Sequence, residues 1–187
     1  MSFPKTRQAL PGETSDYRGR GLRESIQADD LAIFIFETDF VGTMRCVPMA
    51  VRFKLDQCGI KLSLRQWNCL SYERRLHLFH DPCTTTAEID QYRARLVSWI
   101  RITTGEIAKE IVIERDPAWA HPSSVPDDIV RHAKAQSLPA PTLRQWAALS
   151  PLQRFALLKL TRPGHDNINF TPALREFGLL LSDETSK

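Results

Sequence analysis

The sequence predicts an all-α protein: a helical bundle built from two tandem helical repeat units related by pseudo-twofold symmetry, with a flexible N-terminal tail. Three observations predict it. Apolar residues recur at three- and four-residue steps, the period of one helix face. Ser and Thr followed by Gln or Glu mark where those stretches begin. Finally, the string Leu64-Arg-Gln-Trp-Asn-Cys-Leu-Ser71 returns as Leu143-Arg-Gln-Trp-Ala-Ala-Leu-Ser150.

The boundaries follow from composition. Residues 1–30 mix Pro, Gly, Ser, Arg and Asp with no apolar period, and read as the flexible tail. Residues 31–180 read as a single helical domain, since 187 residues at 42% apolar content suffice for one core. Within it, unit 1 spans about 45–105, a linker 106–125, and unit 2 about 126–178. The net charge of +3 comes from Lys and Arg interleaved with Asp and Glu, which gives no basic footprint for nucleic acid. No apolar stretch follows Lys5 and Arg7, so no secretory signal is expected. The longest apolar runs, Leu31 to Phe36 and Gly178 to Leu181, are too short to span a membrane. Cys46, Cys58, Cys69 and Cys83 form no C-x-x-C pair, and in a chain of this length without an export signal no disulfide framework is expected, so a reducing cytoplasm is the expected location.

Leu31-Ala-Ile-Phe-Ile-Phe36 has strand composition but no evident partner strand, so it is expected to lie across a helical core. Pro48 suits a first helical position and Gly59 the residue past a helix end, with Val51, Leu55 and Cys58 on one face between them. Ser63 caps a short helix to about Cys69, and Ser71 caps the next, which Asp81-Pro82 stops. Thr85 with Glu88 opens a helix carrying the stripe Ile89, Tyr92, Leu96 and Trp99, ending near Gly105. After the Pro-containing linker, Pro126 reopens a helix to about Gln136, and Thr142 caps a short one. Ser150-Pro151-Leu152-Gln153 starts a helix to Leu160, and Thr171-Pro172 starts the last, closed by Gly178.

The self-similarity extends beyond the shared string. Arg75 falls on Arg154, Leu78 on Leu157, Val51-Arg52 on Val130-Arg131, and the cap Ser63 on Thr142. Positions kept in both units are expected to serve the scaffold: Trp67 and Trp146, Leu70 and Leu149, and Arg75 and Arg154 holding carboxylates or helix-end carbonyls. Function is expected where the units differ.

Glu73, His77 and His80 fall on one helix face with Cys83 just beyond, a donor set suited to a transition metal; a merely solvated polar face is the plainer reading. Arg45-Cys46 precedes a helix start, where the dipole and a neighbouring cation favour thiolate, against a small buried apolar side chain. The loop Arg162-Pro-Gly-His165-Asp166-Asn167-Ile-Asn169-Phe170 is dense in polar groups between two helices, which suits contact with a partner. Lys54 interrupts an apolar face, its head either reaching water or meeting a buried carboxylate. No glycine-rich phosphate loop or hydrolase motif is present, so no enzyme activity and no cofactor is expected.

Several blocks together point to a family. Phe36-Glu-Thr-Asp-Phe-Val41, Met44-Arg-Cys-Val-Pro-Met-Ala-Val-Arg-Phe-Lys-Leu-Asp56, Cys58-Gly-Ile-Lys-Leu-Ser-Leu-Arg-Gln-Trp67 and Gln153-Arg-Phe-Ala-Leu-Leu-Lys-Leu-Thr-Arg-Pro-Gly-His165 resemble the nitrate reductase-associated protein family. The resemblance runs from about Phe34 to Leu179 and is weakest across 103–125. It implies an accessory or assembly factor of bacterial nitrate assimilation, with nitrate reductase apoprotein as its partner. Such a factor would assist maturation or insertion of the molybdenum cofactor or iron–sulfur centre. It carries no catalytic residues onto this chain. From the residues alone, a metal-delivery protein and a helical DNA-binding regulator remain the alternatives.

Overall fold

Capping chemistry sets the helix boundaries. The computed structural model describes residues 33–38, 43–162 and 168–180, and these are mostly helical. In order they form a 3-10 turn (Ile35–Glu37), α1 (Met49–Cys58), β1 (Ile60–Lys61), α2 (Leu64–Cys69), α3 (Tyr72–His80) and α4 (Thr86–Thr104). There follow β2 (Lys109–Glu110), a second 3-10 turn (Ala118–Ala120), α5 (Asp127–Ala135), α6 (Leu143–Ala148), α7 (Pro151–Leu160) and α8 (Phe170–Glu176). Reciprocal capping boxes open α2, α4, α6 and α7, formed by Ser63 with Gln66, Thr85 with Glu88, Thr142 with Gln145, and Ser150 with Gln153. The Thr84 hydroxyl and the Thr85 and Thr84 amides converge on the Glu88 carboxylate and hold its pKa down to about 2. Gly59 and Gly105 close α1 and α4 at φ of 68° and 72°, a conformation that is costly with a Cβ.

Several boundaries differ from the sequence expectation. Pro48 and Pro126 occupy the N-cap positions, extended in backbone, with the helices starting one residue later. The last helix begins at Phe170, so Thr171 and Pro172 lie inside its first turn. The described part of the 31–36 run forms a 3-10 turn, because its amides find a carboxylate on α8 where a strand would need a partner ladder. Strand pairing occurs instead between unit 1 and the expected linker: β1 and β2 are antiparallel, with Ile60 opposite Glu110 and Lys61 opposite Lys109. Residues 1–30 lie outside the described residues.

The core is organised around α1. Val51 and Cys58 are fully buried, and α1 packs against α3, α4 and α7. Phe53 meets the Trp119 and Phe155 rings edge-on at 4.8 and 5.1 Å, and Asp56 pairs with Lys159 of α7 at 2.6 Å. The stripe on α4 divides as its period predicts: Tyr92 and Leu96 are buried, Ile89 and Trp99 half-buried at its margins. In α7, Leu152, Phe155, Ala156, Leu157 and Leu160 are all buried, leaving no open face for a DNA groove. No helix of the described residues is long and apolar enough to cross a membrane.

Lys54 does not reach water, as one of its two readings from sequence had it. Its side chain is only 6% exposed and reaches inward, Nζ donating to the carbonyls of Phe79 and Asp81 at 2.6 Å each and of Leu78 at 3.5 Å. These belong to the end of α3, where the final carbonyls lack helical partners and the dipole is negative. Lys54→Met keeps the buried stem but removes the donors. It should destabilise the protein by about 1–3 kcal/mol in urea unfolding; an unchanged midpoint would show that the ammonium contributes nothing.

Candidate functional site

The segment before α1 is shaped by its partners. Met44 sits at φ 48°, left-handed and strained for a long side chain. Its carbonyl accepts from Trp67 Nε1 of α2 at 2.7 Å and from Arg75 Nη1 of α3 at 2.9 Å. The same guanidinium donates to the carbonyls of Leu70 and Asn68, both at 3.0 Å, at the end of α2. One arginine therefore ties a helix end to a loop, as its planar fork allows. The loop so fixed presents Arg45 to solvent, with Cys46 half-buried beside it.

The matching residues in the second half bond alike. Trp146 Nε1 donates to the His121 carbonyl at 2.9 Å. Arg154 donates from Nε to the Trp119 carbonyl at 2.7 Å and from Nη1 to the Leu149 carbonyl at 2.6 Å. The expectation that the paired arginines hold helix-end carbonyls is met at Leu70 and Leu149, the C-cap residues of α2 and α6. The helices that close the two halves are unequal, however: α4 has 19 residues and α8 has 7.

The second patch surrounds the start of α8. Arg162 is exposed after α7, and Asn169 is the half-buried N-cap residue of α8, with no side-chain capping bond. His165, Asp166 and Asn167 lie outside the described residues. Sequence reading missed a polar chain next to this position. Thr171 Oγ1 donates to Gln136 Oε1 at 3.0 Å, Gln136 Nε2 lies 2.9 Å from His132 Nε2, and the His132 ring meets Phe170 edge-on at 4.6 Å. In α5 Ile129 and Ala133 are buried, and nothing in the helix's own sequence signals that its end meets α8.

The expected metal set does not come together. Glu73 and His77 are exposed on α3; His77 faces Trp99 at 6.2 Å, and its Nδ1 lies 4.0 Å from Asp81. His80 is exposed beside Phe79, its basicity lowered by partial burial and by the nearby Lys54 ammonium. Cys83 turns the opposite way, into the core, where burial pushes its thiol up to about 12; burial likewise takes Cys58 to about 11. A thiol so held stays protonated near neutrality and is a poor ligand. Among the described residues no group of three or more His, Cys, Asp or Glu side chains is placed to hold a metal ion.

A family model described as conserved nitrate reductase-associated protein matches residues 33–177. No curated protein and no solved structure matches the chain.

The burial pattern predicts two classes of thiol. In native protein at pH 8, iodoacetamide should modify exposed Cys69 and half-buried Cys46 while sparing Cys58 and Cys83 until denaturant is added. Peptide mass spectrometry distinguishes this from uniform labelling. Trp67→Phe, which deletes the indole donor to Met44 and leaves a cavity at a fully buried site, should cost about 2 kcal/mol or more and accelerate the Cys46 reaction.

Proposed function

Because the chain belongs to the conserved nitrate reductase-associated protein family over residues 33–177, we propose that it is an accessory or assembly factor for bacterial assimilatory nitrate reductase. It acts by protein–protein contact with the apoprotein in the cytoplasm, during maturation or cofactor insertion, and it is not itself an enzyme. The family match is the observation that carries this reading. Two patches suit the contact. Arg45 and Cys46 are held out on a loop that Trp67 and Arg75 fix in advance, so little ordering entropy is lost on binding. Arg162, His165, Asp166, Asn167 and Asn169 make up the second, in the polar run that leads into α8. An arginine such as Arg45, with its planar guanidinium, is a common anchor at interface centres.

The same proposal includes the origin of the scaffold. The domain of residues 31–180 reads as two copies of one helical unit about a pseudo-twofold axis. The matched Trp and Arg hydrogen bonds in the two halves support a duplication.

Size-exclusion chromatography with light scattering, on mixtures with apo- and holo-nitrate reductase, tests the role. A complex formed preferentially with the apo form is expected, and Arg45→Glu should weaken it by about ten-fold or more, roughly 1.4 kcal/mol. No complex with either form, together with normal reductase maturation in cells lacking this protein, would sink the proposal.

A further inference from the structure

Residues 33–38 are anchored on α1 and α8 by two carboxylates. The amides of Ile35 and Phe36 donate to Glu176 Oε1 and Oε2 at 2.7 and 3.2 Å. Glu37 turns inward to 8% exposure, and its Oε1 accepts the Met49 amide at 2.8 Å where α1 begins. Its Oε2 is buried with no hydrogen-bond partner. Apolar contact completes the attachment: Phe34 stacks on Phe36 at 5.2 Å and meets the edge of Phe177 at 5.0 Å.

We propose that residues 33–38 are a proton-linked latch, closed on α1 and α8 while Glu37 is protonated and loosened as it ionises, which uncovers the apolar surface of Phe34, Phe36 and Phe177. An ionised carboxylate offers about four acceptor sites; here backbone groups of Met49 and Phe34 favour the charge, but Oε2 finds no hydrogen-bond partner. Enclosing the unpaired charge is costly, while the neutral acid is tolerated far better. The charged groups facing it among the described residues oppose one another, Arg52 of α1 favouring the ionised form and Glu176 of α8 disfavouring it. Burial outweighs both and pushes the Glu37 carboxyl from an ordinary 4.5 to about 7.

The direction of the linkage follows. The closed latch holds the Glu37 proton more tightly than the open one, so closure is strongest in acid. It weakens as pH rises from about 4.5 to about 7 and is constant above. Across pH 6 to 8 these two values give an opening equilibrium that rises about ten-fold. Neutral pH thus falls at the upper end of the working range, and a latch of this kind is tightened by acidification and is already near its loosest in alkali.

The test is solvent exchange of the Phe36 and Met49 amides by NMR in the full chain, corrected for intrinsic rates, between pH 6 and 8. The expected result is an opening constant rising about ten-fold in the wild type and flat in Glu37→Gln. A flat wild-type profile, or the same rise in the variant, would overturn the latch. Should Glu37→Gln fail to fold by circular dichroism, the carboxyl carbon of Glu37 in wild-type protein decides: a midpoint near 7 supports the proposal and one near 4.5 refutes it.

Discussion

The ammonium of Lys54 and the last carbonyls of α3 each resolve the other's difficulty. An ammonium carries three donors and no acceptor, and a helix end carries carbonyls with no donors to meet them. Buried separately, either would be expensive. Placed together, they lock α3 onto α1 in one position, with the Tyr92 hydroxyl of α4 joining at the Leu78 carbonyl. The rest of the first half follows from that placement. Arg75 lies on α3, so where α3 sits decides which loop its guanidinium reaches. That loop is the one carrying Arg45 and Cys46.

A shared set of bonds leads to different ends in the two halves. In the first, the Trp67 and Arg75 donors meet on the carbonyl of Met44, and the adjoining Arg45 is left in solvent. In the second, Trp146 and Arg154 take the carbonyls of His121 and Trp119, and the Trp119 ring is turned against Phe53 and Phe155. One clamp presents residues outward and the other closes the seam between halves. The Trp and Arg donors are thus alike in the two halves while the groups they hold in place differ.

How much of this was legible in the sequence depended on range. Capping boxes are local, requiring only a hydroxyl and a Gln or Glu at fixed spacing, and every one named from sequence is present. The buried stripe of α4 was equally legible, because period and amphipathicity are properties of a single helix. The β1–β2 pair was not: a ladder of two residues a side is too short to show alternation, and its partner lies across three helices. The carbonyls that meet Lys54 were not legible because they are backbone atoms, which every residue possesses and no motif encodes. The metal set failed for a related reason. Spacing placed Glu73, His77 and His80 on one face with Cys83 just beyond, but the chain turns at Asp81, and Cys83 enters the core while the others face out. Of the candidate contact residues, Arg45, Cys46, Arg162 and Asn169 can be located, whereas His165, Asp166 and Asn167 fall outside the described residues.

The seam between α1 and α7 also bears on how the chain reaches its folded state. Phe53 and Asp56 of α1 find their partners Phe155 and Lys159 only when the C-terminal part of the chain is available. Synthesis proceeds from the N-terminus at a finite rate, so α1 emerges from the ribosome well before the helix that covers it. During that interval Phe53 stays uncovered, so the face of α1 completes its packing only when nearly the whole chain has been made.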